Sequence, residues 1–300
     1  MEIAMNFKEQ AQNFLKHAAT RKRKPFKAAT IRKYEASLEH AISLFGNRDL
    51  SEINNNALKI LVAKLSADGL SASTITGVVV VVKLVVASAV NDQGDELYPR
   101  TWNHEFMDLP EIHVNDQKRP RMAPEQVTGA ISRINGQYKA LCALLAGTGL
   151  RVGEALALTS DDWDRVNLTL SVTKTAVGTE VQGCTKTQAG NRVVDLAPEL
   201  NAFLIQTLGD VQGLLFKSST GGVIQYAVAH AHAHEAGIPG FHSLRRFRTT
   251  HLNRMNCPSG LERFWIGHAM SGAHERYIGF QGEVTARKAE VRRIGLGFSL

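Results

Sequence analysis

The chain has 300 residues, 44% of them hydrophobic and 21% charged, and carries a formal net charge of +7 at neutral pH. That length suits one large or two ordinary domains with ample material for a buried core, and the composition excludes a disordered or fibrous protein. The positive balance points to a polyanionic partner. It is concentrated near the start, where Lys16, Arg21, Lys22, Arg23, Lys24, Lys27, Arg32 and Lys33 occur with no acidic residue between Glu9 and Glu35. A solvated basic loop is the plain alternative for that stretch. Three cysteines, Cys142, Cys184 and Cys257, are odd in number and lack metal-ligand spacing, so neither a disulfide framework nor a zinc site is expected, and a reducing cytosol fits. Met1-Glu2-Ile3-Ala4 has neither a basic start nor an apolar signal core, so export is not expected. The most apolar run, Val78 to Val90, is interrupted by Lys83 and falls short of the roughly 20 residues that cross a bilayer.

From Lys8 to about Ile112 the chain reads as several helices. Ile31, Tyr34, Leu38 and Ile42 recur near helical period until Gly46, and Leu58, Leu61, Val62 and Leu65 repeat the pattern before Gly69. Val78 to Val82 favours strand by propensity, yet Ser71 and Ser73 are good N-caps and no turn or partner strand follows closely. A buried helix is the expectation there. Val114 to Ala123 is polar, basic and proline-bearing, which marks a linker. Pro124 then starts a helix running through Ile134, and a second covers Gln137 to Ala146, with Cys142 in phase with Tyr138, Leu141 and Leu145 on an apolar stripe. Leu168 to Thr173, Thr179 to Thr185 and Arg192 to Leu196 alternate as a small antiparallel sheet, after which helices resume at Pro198 and continue to the end. The expected fold is mainly α with a small antiparallel β-sheet: a helical domain over 1–112, a linker over 113–123, and a mixed α/β domain over 124–300 that ends in a tail.

The chemistry-bearing residues cluster late in the chain. His242-Ser243-Leu244-Arg245 places an imidazole and a guanidinium one helical turn apart, so both side chains can reach one spot. His268 follows in Ile266-Gly267-His268, and Tyr277 stands nine residues beyond it. Upstream, Arg151 sits in Gly147-Thr148-Gly149-Leu150-Arg151-Val152-Gly153-Glu154 at a glycine-marked turn. Taken alone, Arg151 reads equally well as a helix-start arginine in a surface ion pair with Glu154. Thr-Lys-Thr occurs twice, around Lys174 and Lys186. Breaking a phosphodiester without metal requires a nucleophile, neutralisation of the non-bridging oxygens, and a proton for the departing oxygen. A phenol, two arginines, two histidines and a lysine supply those three needs. His230 and His234, at i and i+4, could hold a metal on a helix, but no carboxylate or third ligand is evident on the same face.

In order and spacing, Thr148-Gly149-Leu150-Arg151-x-x-Glu154, Lys186, His242-x-x-Arg245, Gly267-His268 and Tyr277 resemble the tyrosine recombinases, the phage-integrase family. The resemblance spans nearly the whole chain. It implies an N-terminal all-helical (SAM-like) core-DNA-binding domain followed by the catalytic domain, and no room for a further N-terminal arm-site-binding module. It also implies catalytic roles. Arg151 and Arg245 would clamp the scissile phosphate, and His242 would exchange a proton with the tyrosine or assist phosphate binding. His268 would donate a hydrogen bond to the phosphate, and Tyr277 would attack phosphorus to give a covalent 3′-phosphotyrosyl bond. In the family the lysine that protonates the leaving 5′ oxygen sits in a β-hairpin ahead of an arginine-led strand. Lys186, followed by Gln188-Ala189-Gly190-Asn191 and Arg192, fits that description better than Lys174, although spacing alone leaves both open. Arg246 departs from the histidine that many relatives carry beside the second arginine.

The implied activity is site-specific recombination or integration of double-stranded DNA by a tetramer on two DNA sites, with no cofactor, no metal and no membrane, in the cytoplasm at the nucleoid. Phosphate contacts are expected from Arg21, Lys22, Arg23 and Lys24. Two other readings stand beside it: type IB topoisomerase-like nicking and resealing, and a DNA-binding accessory protein without catalysis. For the charged segment Ala286 to Ile294 and the apolar end of the chain, packing on their own subunit is the plain reading, and the resemblance implies docking on a neighbouring protomer.

Overall fold

A computed structural model of the chain describes residues 5–23, 25–113, 119–183, 191–268 and 282–300. Lys24, the 114–118 part of the linker, Cys184, Lys186 and Tyr277 lie outside the described residues. The chain divides into two compact units, Met1–Lys118 and Arg119–Leu300.

The first unit is built from α1 (Phe7–Thr20), α2 (Ala28–Phe45), α3 (Asn55–Ala67) and α4 (Ala72–Ala87). Each of α1, α3 and α4 begins on a polar cap: Asn6 accepts from the Glu9 amide, Asn54 from Asn56 and Ala57, and Ser71 from Thr74. The valine run from 78 to 82 is helical, as expected. Its β-branched side chains are held by burial rather than propensity, since Ile75, Val78, Val79, Val82, Val85 and Val86 all enter the core with Phe7, Leu38, Phe45, Leu58 and Leu61. Among the described residues that follow α4 in the first unit there is no regular helix, so the helical reading up to Ile112 overruns by about two dozen residues.

In the second unit, α5 (Pro124–Arg133) starts with proline at its first turn, and α6 (Gly136–Thr148) runs through the middle of the core. Every residue of α6 from Ala140 to Thr148 is buried, because α8 (Pro198–Leu208) and α10 (Phe241–Arg254) pack on it. Cys142 is therefore a core residue whose thiol is pushed up to about 12 by burial. Helix α7 (Val152–Leu156) follows at once. The expected single sheet is instead two. Strands β1 (Trp163–Asp164), β2 (Thr169–Val172) and β5 (Arg192–Asp195) form one antiparallel sheet in the order β1-β2-β5, whereas β3 (Thr175–Val177) and β4 (Glu180–Gln182) form a separate hairpin. The reason is register: β2 pairs with β5, Val172 opposite Arg192, and between them Thr175–Val177 pairs with Glu180–Gln182. The helices after Pro198 are also interrupted, with irregular chain from Gly209 to Gln225 before α9 (Tyr226–Glu235), α10, α11 (Ser259–Ile266) and α12 (Val284–Ile294).

The end of the chain folds back on its own unit. Leu296 is buried, and Phe298 meets Phe247 edge to face at 5.9 Å. Arg248 donates to the Gly295 carbonyl at 2.6 Å, and the Ser299 amide donates to Thr128 Oγ1 at 3.0 Å.

Candidate active site

Two tight turns carry the site. Helix α6 ends at Gly149, whose φ of 73° is left-handed and costs glycine nothing, and Arg151 is the N-cap of α7 two residues later. A Cβ at position 149 would stand 2.5 Å from Ile266 Cδ1, so only glycine lets this turn approach α11. Helix α11 ends in the same way at Gly267, φ 72°, and presents His268 directly afterwards. Here a Cβ would lie 2.7 Å from the Arg192 guanidinium carbon.

The turns are cross-tied by the arginines themselves. Arg245, on the first turns of α10, donates to the Gly149 carbonyl at 2.7 Å, and Arg151 donates to the Gly267 carbonyl at 3.2 Å. Thus the peptide beside the first arginine steadies the second, and the peptide beside His268 steadies the first. Arg245 is buried and Arg151 partly exposed; His242 and His268 are exposed. Burial and then the charge of Arg151 bring Arg245 down to about 10, so it remains cationic at neutral pH. The two imidazoles feel the same cations. Although largely exposed, each loses some of its hydration: His242 is held below its ordinary 6.5 by this partial desolvation and by Arg246, Arg245 and Arg151, and His268 by the same effect and by Arg245, Arg151, Arg263 and Arg192. Arg151, His242, Arg245 and His268 therefore face one electropositive site.

Beneath it lies a carboxylate that the sequence offers only as a surface partner of Arg151. Glu154 is 2% exposed; it pairs with Arg151 at 2.7 Å and with Arg192 at 3.0 Å, and also accepts from the Arg151 amide. Burial opposes its charge, but Arg192 and Arg151 outweigh burial and hold it below the usual carboxylate range. Arg192, which the sequence shows only as the head of a strand, is equally buried and also donates to the Trp265 carbonyl at 2.7 Å. At the other end of β5, Asp195 accepts from Trp265 Nε1 and from Arg287 of α12, both at 2.8 Å. The signal in the sequence was two opposite charges bracketing two valines in Arg192-Val193-Val194-Asp195, a pattern that puts charge where a strand would bury it.

Of the two candidate lysines, Lys174 is occupied: its Nζ lies 2.7 Å from Asp162 and 3.2 Å from Thr159 Oγ1. Of the tract that includes Lys186, the described part resumes at Asn191 and β5. Among the described residues no group of three His, Cys, Asp or Glu side chains is placed to hold a metal. The α9 histidines stack on rings, His232 on Tyr138 at 4.0 Å and His230 on Tyr226 at 5.5 Å. No described helix is long and apolar enough to cross a membrane.

Solved structures share this architecture across both units. The chain superposes on the integrase of transposon Tn1549, solved in complex with transposon right end DNA, with a TM-score of 0.70, 18% identity, and coverage of 89% of this chain and 92% of that one. This is the tyrosine recombinase fold. Lambda integrase is similar too: a dimer bound to a core site gives a TM-score of 0.66 at 14% identity and 95% coverage of each chain, and a tetramer bound to a Holliday junction gives 0.66 at 13% identity, covering 90% of this chain and 79% of that one. No protein-family model and no curated protein matches the sequence. Within the tyrosine recombinase fold, the positions that the sequence singles out as Arg151, His242, Arg245 and His268 fall on α7, α10 and the end of α11, and the described geometry brings them together.

Proposed function

We propose that the protein is a site-specific DNA recombinase or integrase that cleaves and rejoins double-stranded DNA through a covalent 3′-phosphotyrosyl intermediate. The observation that carries this reading is the cross-tied pair Arg151 and Arg245, two guanidiniums held by backbone carbonyls in a site that two imidazoles share. Like charges gathered in this way suit an anion, and the planar forks of two arginines suit the non-bridging oxygens of a phosphodiester. As phosphorus becomes pentacoordinate it gains negative charge, which preorganised donors stabilise more than they stabilise the ground state.

In this reading the Tyr277 oxygen attacks phosphorus, forming the phosphotyrosyl bond to the 3′ end as the bond to the 5′ oxygen breaks. Lys186 gives that oxygen its proton. A free phenol has a pKa near 10, so the neighbouring cations and a neutral imidazole favour its deprotonation. His242, held neutral, takes the phenol proton, and His268 donates to a non-bridging oxygen. Religation is the reverse, and the bond energy is retained without ATP. The engagement of Lys174 by Asp162 supports Lys186 in the acid role.

The likeness to an integrase solved as a tetramer on a Holliday junction supports assembly of four copies on two DNA sites. Arg21, Lys22 and Arg23 are exposed between α1 and α2, and with Lys24 they supply phosphate contacts that position the helical unit on DNA. A DNA-acting protein of this kind works in the cytoplasm, at the nucleoid. The test is a nicked suicide substrate carrying the cognate site, in EDTA. Wild-type protein should yield a detergent-resistant protein–DNA adduct, and Tyr277→Phe should bind the same DNA and yield none. An adduct that persists in the Phe variant overturns the assignment.

A further inference from the structure

Arg192 reaches two turns from one strand. Its backbone is fixed in the antiparallel sheet by pairing with Val172, and its side chain is 1% exposed. Nη2 donates to one Glu154 oxygen at 3.0 Å, Nη1 to the other at 3.4 Å, and Nε to the Trp265 carbonyl at 2.7 Å. Gly267 packs so closely on the same guanidinium that a Cβ there would stand 2.7 Å from its carbon and from Nη1. One planar group thus touches α7 on one edge and the end of α11 on another.

A counter-ion for Glu154 needs only a positive charge, whereas Arg192 also fixes the last turn of α11, three residues before His268. Trp265 is held to β5 a second time, since its indole Nε1 donates to Asp195 at 2.8 Å. On the other side Glu154 pairs with Arg151 at 2.7 Å and accepts from its amide at 3.0 Å. Arg151 in turn donates to the Gly267 carbonyl at 3.2 Å. The contacts therefore close into a ring that runs from Arg192 through Glu154, Arg151 and Gly267 to Trp265 and back. Moving Arg192 moves both Arg151 and the turn that presents His268.

We propose that Arg192 is a positioning residue that sets the separation of Arg151 and His268, holding both phosphate donors to one geometry from the fixed strand β5. The proposal rests on the DNA-cleaving function above. At 1% exposure Arg192 touches neither DNA nor the reacting atoms, so it acts only through the groups it holds. Two donors aimed at one phosphate must keep their spacing as charge builds on the oxygens, and a buried fork on a sheet supplies that rigidity.

Arg192→Ala would strand the Glu154 carboxylate in the interior and test little beyond folding. The deciding variant is Arg192→Lys in the full chain, which keeps the charge but offers one nitrogen in place of a planar fork of three. Binding of a cognate half-site should stay within about two-fold of wild type, because phosphate contacts elsewhere carry most of the affinity. Single-turnover cleavage of the suicide substrate at saturating protein should fall about a hundred-fold, the effect of a misplacement near 1 Å. In the DNA-free protein the His268 imidazole resonances should move, while those of His232, stacked on Tyr138, stay in place. Gly267→Ala pushes the turn off the guanidinium with every charge retained, so it should slow cleavage too, and the double variant should be no slower than the slower single. Wild-type cleavage by Arg192→Lys, an unmoved His268 resonance, or binding and cleavage lost in equal measure overturns the proposal and leaves Arg192 as a counter-ion. Normal cleavage by Gly267→Ala overturns it even if Arg192→Lys does not fold. Wild-type protein that yields no Tyr277 adduct overturns the recombinase reading instead, and the His268 resonance, which needs no DNA, still decides what Arg192 positions.

Discussion

Burial and the neighbouring arginines lower the proton affinity of His242 and His268. A histidine whose folded pKa lies below its unfolded value favours the folded state when neutral, so its contribution is present above the ordinary 6.5 and is lost as pH falls through the lower folded value. At neutral pH the uncharged forms of His242 and His268 are therefore favoured. Proton NMR titration of the DNA-free protein should place both midpoints below 6.5, and binding of a phosphodiester should raise them by offsetting Arg151 and Arg245. Midpoints at or above that value in the free protein would show that the cations do not reach the imidazoles. The lysines separate by leaving-group chemistry. A 5′-phosphorothiolate needs little protonation on departure, so it should rescue cleavage by Lys186→Ala, whereas Lys174→Ala, which only frees Asp162 and Thr159, should need no rescue. The reverse pattern would move the acid role to Lys174.

At the scale of elements, helices were legible where period, caps and burial agree, as in α3 with Asn54 at its start and in α4 with Ser71. The sheet was less so, because whether three alternating segments share one sheet depends on a pairing between residues twenty positions apart, Val172 with Arg192. For the site, spacing gave the residues that meet around Gly149 and Gly267 but not what supports them. Glu154 and Arg192 owe their importance to burial, which no spacing displays. Glu154→Gln removes the charge that both arginines share and leaves Arg192 cationic at 1% exposure. Breaking a buried pair in this way costs about 3 kcal/mol or more. Urea unfolding should show a loss of that order, and Arg151, untethered, should bind phosphate less well. A Gln variant as stable as the wild type would mean that Arg192 finds other partners.

For the whole molecule, the tail decides between two roles that the sequence left open. Leu296 is buried, Phe298 packs on Phe247, and the Gly295 carbonyl satisfies Arg248, whose own pKa is brought down to about 10 by burial. Deleting residues 295–300 exposes the apolar bed beneath Leu296 and Phe298 and leaves Arg248 without that acceptor. Burial of one such side chain is worth about 2 kcal/mol, so the second unit should lose roughly 2–4 kcal/mol. Denaturant unfolding of full-length and truncated protein measures it. Unchanged stability accompanied by lost synapsis would assign the tail to a neighbouring protomer instead.

Strand β5 has a consequence for how this chain can change through descent. Its four residues carry two buried charges, Arg192 answered by Glu154 on α7 and Asp195 answered by Arg287 on α12. Losing either member of a pair strands the other in the interior, while exchanging both for apolar groups is tolerated far better. Each pair should therefore be inherited as one character: descendants that have abandoned Asp195 will have abandoned Arg287 with it, and the two pairs will drift independently of one another.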